Sequence, residues 1–168
     1  MNYEKARTKI RSGDLLAWSH SPWSSWHDIK VQLVRMFTRS EYCHVATAIR
    51  RSDDQIDAFE AVLKGVRLFP LEKMLPFYWV PLKRATWNKG VEKWCRDQIG
   101  EEYSQWQAIL AGMGMLKRAG EDALWECAEL KMEVMERMQV PISCHQTPTD
   151  VVRAVQSTYG APVYLIAE

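Results

Sequence analysis

The hydrophobic pattern of this chain changes period part-way along, and that change constrains the fold more than any other feature. In the first half the apolar residues come in short runs bounded by turn signals: "SGDLLAWS", "YCHVATAI", "IDAFEAVL", "GVRLFPL" and "FYWVPLK". Such runs read as β-strands, and the short links between them predict an antiparallel meander. From Val91 onward the spacing becomes helical, with Val91, Trp94, Cys95 and Ile99 on one stripe and "QWQAILAGMGML" supplying another. The strongest helix is "EDALWECAELKMEVMERM", with Leu124, Ala128, Lys131, Met135 and Met138 along one line and Cys127, Leu130 and Val134 along the next. Asp122 offers it an N-cap, and a helix begun there carries Cys127 in its second turn. "TPTDVVRAV" predicts a short capped helix with Pro148 near its first turn, and "APVYLIAE" a last strand. Strands grouped before helices indicate an α+β fold.

Two further stretches sit outside that scheme. Ile29, Leu33, Met36 and Phe37 predict a short amphipathic helix from His27 to Phe37, after a Ser- and Trp-rich loop, "SHSPWSSW". The alternating Lys5, Arg7, Lys9 and Arg11 read as the solvated face of a strand.

A chain of 168 residues is expected to form one domain, residues 1–168. Its net charge of +1 carries no basic excess and argues against a nucleic-acid partner. No stretch approaches the roughly 20 apolar residues of a membrane span, and the polar start "MNYEKARTKIRSGD" has no signal-peptide core. The expected location is the cytoplasm, where Cys43, Cys95, Cys127 and Cys144 stay free thiols.

Nucleophilic catalysis by cysteine needs an ionised thiol, a base to hold the proton and a third group to orient the base. The chain offers Cys127 on the major helix, His44 at the mouth of a strand and Glu60 on the next strand, a hairpin's length away. Each also has a plainer reading: Cys127 as a small core residue, His44 as a satisfied core histidine, Glu60 as an edge-strand charge. Periodicity leaves these alternatives open. A zinc site built from Cys43, His44, Cys144 and His145 is disfavoured. Adjacent strand residues point to opposite faces, and structural zinc ligands usually pair two to four residues apart. No metal and no cofactor are expected.

The order of landmarks resembles the circularly permuted branch of the NlpC-type papain-fold superfamily, which includes the YiiX-like hydrolases and the lecithin–retinol acyltransferase relatives. The stretches that carry the resemblance are "SGDLLAW", "FTRSEYCHVATAI", "IDAFEAVLKGVRLFPLEKM", "IGEEYSQWQA", and "WECAELKMEVMERMQVPI" with "TPTDVVRAV". Together they cover nearly the whole chain. The resemblance implies a papain-like α+β fold in which an antiparallel sheet packs against the helix of the nucleophile. It implies Cys127 as nucleophile, His44 as general base facing it, and Glu60 as the group that orients His44. Asp57 lies three positions from Glu60, so period two turns it to the other face; nearer the turn, it reads as solvated.

The function expected on that basis is a cysteine hydrolase that opens an amide in a peptide or isopeptide through an acyl-enzyme. Hydrolysis or transfer of a lipid acyl group on the same triad is the alternative. A non-catalytic binding or inhibitor protein that keeps the fold is the rival from another class. Ala128, standing where the family carries a small polar residue, and a helix start that puts Cys127 in the second turn are the features in its favour; retention of all three triad residue types is the feature against it.

Overall fold

The computed structural model describes residues 1–19, 41–62, 65–100, 122–144 and 147–168, with side chains in the helix from Asp122 described from Cys127 onward. The elements in chain order are α1 (Tyr3–Arg7), β1 (Leu15–Trp18), β2 (His44–Arg50), β3 (Ile56–Val62), β4 (Gly65–Pro70) and a 3-10 turn (Leu71–Met74). They are followed by β5 (Phe77–Val80), α2 (Lys89–Asp97), α3 (Asp122–Arg137), α4 (Pro148–Tyr159) and β6 (Tyr164–Ile166). The fold is α+β: the six strands form one antiparallel sheet in the order β4-β3-β2-β1-β5-β6, with helices packed against it. The expected helix over residues 27–37, that over 105–116, and the "SHSPWSSW" loop beyond Ser19 lie outside the described residues.

The meander holds for β2, β3 and β4 and then breaks. Strand β5 crosses the sheet and pairs with β1, setting Leu16 opposite Trp79. A side chain fixes that choice. Asp14, buried at the entrance to β1, accepts hydrogen bonds from the Trp79 indole at 2.8 Å, the Leu82 N–H at 2.9 Å and the Arg11 N–H at 2.9 Å. Two of those donors belong to β5 and the residues just after it, so the carboxylate pins that strand beside β1.

The basic run at the start is part of a helix and a turn, not a strand face. Asn2 caps α1 by accepting from the Lys5 N–H at 3.1 Å. Tyr3, Ala6 and Ile10 are all buried on the sheet. Their spacing of three and four is helical, and the charge alternation concealed it. Ile99 also departs from its expected stripe: α2 ends at Asp97, and Ile99 is exposed while Val91 and Cys95 are buried.

Period two divides the sheet's side chains between two apolar layers. Leu15, Ala17, Val45, Ile49 and Phe59 face α3 and α4, and Leu16, Ala46, Ala48 and Ala58 face α1 and the 3-10 turn. On α3 and just past its end the described members of both expected lines are buried, Ala128, Met135 and Met138 on one and Cys127, Leu130 and Val134 on the other, while the Leu124 side chain lies outside the described residues.

The first line includes Lys131, which is 1% exposed. Its Nζ donates to the Gly13 carbonyl at 2.9 Å, the Thr47 hydroxyl at 3.2 Å and the Asp14 carbonyl at 3.4 Å. Burial pulls this ammonium down to about 7, against the opposing pull of Asp14. Gly13 is required there on two counts. Its φ is +96°, and a Cβ would meet the Met138 sulfur at 2.6 Å.

Among the described residues, no helix is long and apolar enough to cross a membrane.

The clamp at Asp14 gives the first test. Asp14→Ala leaves two backbone N–H groups and an indole N–H without their acceptor, each worth about 1–3 kcal/mol when buried. Urea denaturation is expected to show a loss of about 3 kcal/mol. A loss below about 1 kcal/mol would mean that β5 is held by other contacts.

Candidate active site

His44 is the first residue of β2, where the chain enters the sheet from two anchored residues. The Cys43 N–H donates to the Trp18 carbonyl at 2.8 Å. The Tyr42 N–H donates to the Thr149 hydroxyl at 3.0 Å. That second bond reaches the first turn of α4, whose N-cap Thr147 accepts from the Asp150 N–H at 3.2 Å. The "TPTD" stretch therefore holds the approach to His44 as well as starting a helix.

Glu60 lies on β3 on the same face as Ala58, and Arg67 lies directly opposite it on β4. The His44 Nε2 and the Glu60 Oε2 are 2.6 Å apart. The other carboxylate oxygen, Oε1, accepts from Arg67 through Nε at 2.8 Å and Nη2 at 2.7 Å. Glu60 is 1% exposed, and its charge is neutralised on both sides. Burial would raise its carboxyl pKa, but the bonds and charges of His44 and Arg67 prevail and lower it.

Cys127 comes from the opposite layer. The helix register explains how it arrives. Lys131 ties α3 to Thr47 of β2. One helical turn back from Lys131 is Cys127, about 6 Å along the axis. Two strand residues back from Thr47 is Val45, about 6.6 Å along the strand. The thiol thus arrives at the end of β2 where His44 stands, and its side chain is hydrogen bonded to the His44 ring.

The ring also lies against the Trp18 indole, 5.4 Å between centroids, and that indole donates to the Met74 carbonyl at 2.8 Å. Trp18 belongs to the α1 layer and Cys127 to the α3 layer, so the imidazole spans the end of the sheet between them. Burial of the ring opposes its protonation, yet Cys127 and Glu60 outweigh it and raise the His44 pKa from 6.5 to about 10. The state favoured at neutral pH is an imidazolium paired with the Glu60 carboxylate.

The structure thus brings together His44, Glu60 and Cys127. Asp57 is turned away from them, but it is buried and not solvated as its place near the turn predicted: it is 4% exposed, with the Arg51 Nε 3.5 Å from its Oδ2. Sequence reasoning passed over Arg67, Trp18, Thr149 and Lys131. Arg67 left a signal. Val62 pairs with Gly65, and in that register Arg67 stands across from Glu60.

Of the disfavoured zinc ligands, Cys43 donates its thiol to the Trp18 carbonyl at 3.3 Å, and the Cys144 sulfur lies 3.9 Å from the Met132 sulfur. His145 lies outside the described residues. Among those described, no group of three His, Cys, Asp or Glu side chains converges to hold a metal ion. The "FYWV" aromatics are used in packing: Tyr78 meets Tyr42 edge-on at 5.2 Å and Trp79 lies 5.3 Å from Tyr164.

No family model matches this chain, and no curated protein matches it. The roles of its residues rest on the chemistry of the site.

Side-chain NMR of the histidines tests that chemistry. His44 is expected to titrate well above 6.5. Cys127→Ala deletes both the charge and the hydrogen bond of the thiol, so it should lower the His44 pKa by about one unit or more. Glu60→Gln should lower it too. A His44 that titrates at its ordinary value, or that ignores Cys127→Ala, contradicts the arrangement.

Proposed function

We propose that this chain is a cysteine hydrolase acting on an amide bond, in a peptide or an isopeptide, through Cys127, His44 and Glu60. The observation that carries the reading is the single imidazole bonded to a buried carboxylate on one side and to a cysteine on the other. In this reading the fold is the permuted NlpC-type papain-like fold to which the sequence bears a resemblance.

The chemistry follows from the pairing. The imidazolium of His44 stabilises the Cys127 thiolate, which attacks the substrate carbonyl carbon. The tetrahedral adduct collapses as His44 gives its proton to the leaving amine, and a thioester remains on Cys127. Neutral His44 then takes a proton from water, the hydroxide attacks the thioester, and the acid is released with the thiolate restored. Glu60 holds the ring and stabilises its charged form at each stage without accepting the proton. Because α3 begins at Asp122, the Cys127 N–H is spent on an intrahelical bond, and the macrodipole fades beyond the first turn. Activation of the thiol thus rests on His44, and the oxyanion must be met by donors other than that N–H.

The same observations favour one second reading. Cys127 is 1% exposed and sits in the second turn of its helix, as in a binding protein that keeps the fold without the chemistry.

Thiol reactivity separates the two. Exposure alone ranks Cys144 first, since it is half-buried and the other three cysteines are buried. Burial raises the Cys144 pKa, however, and pushes the Cys95 thiol up to about 12. Brief treatment with iodoacetamide at pH 7, read by peptide mass spectrometry, is expected to label Cys127 before Cys144. Labelling of Cys144 with Cys127 untouched favours the binding protein. Once a hydrolytic activity is measured, Cys127→Ala should reduce it by about 10⁴-fold or more while the fold persists.

A further inference from the structure

Beyond the three residues of the proposed triad, Arg67 has a place in the site that packing does not explain. It reaches across the β3–β4 hairpin with two nitrogens on one oxygen of Glu60, at 2.8 Å and 2.7 Å. Its guanidinium carbon stands 4.6 Å from the centroid of the Phe69 ring, which fixes the plane of the fork. The carboxylate it holds is 1% exposed, whereas Arg67 itself is 47% exposed and keeps contact with water.

Accepting the hydrolase reading, we infer that Arg67 is the positioning residue that keeps Glu60 ionised and aimed at His44. The geometry divides the carboxylate strictly: Oε1 to Arg67, Oε2 to His44. Arg67 from β4 and His44 from β2 thus stand on either side of one buried carboxylate from β3, a cation at each of its oxygens. Without Arg67 the carboxylate stays out of water with one oxygen free and His44 alone to balance it. Such a group takes a proton more readily. A protonated Glu60 no longer stabilises the imidazolium, and the imidazolium no longer supports the thiolate. Arg67 thus acts on the nucleophile at two removes, touching neither substrate nor thiol. A lysine at this position restores the charge but not the paired bonds, because an ammonium is a point donor without the planar fork.

Two readouts test this. The first is the titration of the Glu60 side-chain carboxyl by 13C NMR in the native chain, Arg67→Met and Arg67→Lys. The Glu60 pKa is expected to rise by about one unit or more in Arg67→Met and by less in Arg67→Lys. The second is the rate of Cys127 alkylation by iodoacetamide from pH 4 to pH 8. The acid limb of that profile is expected to move to higher pH in Arg67→Met and to be partly recovered by Arg67→Lys. A purely structural role would change the rate at every pH through exposure of the thiol, leaving the limb in place. An unmoved Glu60 titration overturns the inference, and so does an acid limb that superimposes on the native one. If Arg67→Met does not fold, Arg67→Lys decides by the same criteria. The Glu60 titration tests Arg67 whether or not Cys127 reacts. A native chain unreactive at Cys127 counts against the hydrolase reading alone.

Discussion

A buried ammonium and the turn that receives it determine how the two layers of this protein meet. Lys131 projects from α3 into the sheet and ends on the Gly13 and Asp14 carbonyls and the Thr47 hydroxyl. Burying a lysine is costly unless its protons are accepted. The helix is therefore restricted to the one sliding position at which those three oxygens are in reach. Gly13 adds a steric limit, since it allows the Met138 sulfur to approach where a Cβ would exclude it. The carboxylate next to it fixes β5 against β1. One turn of chain thus sets the order of the sheet and the height of the helix above it.

The candidate site is a consequence of that height. His44 is anchored by its own neighbours, through Tyr42 to Thr149 and through Cys43 to Trp18, and Glu60 is anchored by Arg67. His44, Glu60 and Arg67 lie on adjacent strands and meet without any residue of α3. Cys127 is the component brought from elsewhere, and only the register of α3 delivers it to the imidazole. The site therefore joins a rigid charged half, built within the sheet, to a nucleophile carried on a separately docked helix. Changes at Lys131 or Gly13 act on chemistry through position. Changes at Arg67 act through charge.

Much of this was legible in the sequence because it depends on period. The strands at 44–50, 56–62, 65–70 and 77–80, and the helices around Val91, Cys127 and Val151, follow from where alternation gives way to helical spacing. The opposite facing of Asp57 and Glu60 follows from the same rule. What stayed hidden depends on long-range pairing. Nothing local in "FYWVPLK" tells that β5 crosses to β1; the instruction is the Asp14 side chain far earlier in the chain. Lys131 reads as an ordinary member of a helical stripe, since its acceptors lie far away in sequence, in the turn before β1 and on β2. At the start of the chain, alternating basic residues imitated a strand although Tyr3, Ala6 and Ile10 carried the helical signal. Asp57 read as solvated because Arg51, across the turn, cannot be assigned to it from spacing alone.

The account stands on the claim that Cys127 forms an acyl-enzyme with the help of His44. The most direct measurement is intact-protein mass spectrometry of samples quenched in acid after brief exposure to activated acyl donors, a peptide thioester and a fatty-acyl thioester in parallel. The account predicts a mass increase equal to the peptidyl group, located on Cys127 and lost with time as water releases it. It predicts a much slower appearance of that adduct in His44→Ala. No adduct from either donor, or one that forms on Cys144 and is indifferent to His44, would contradict it.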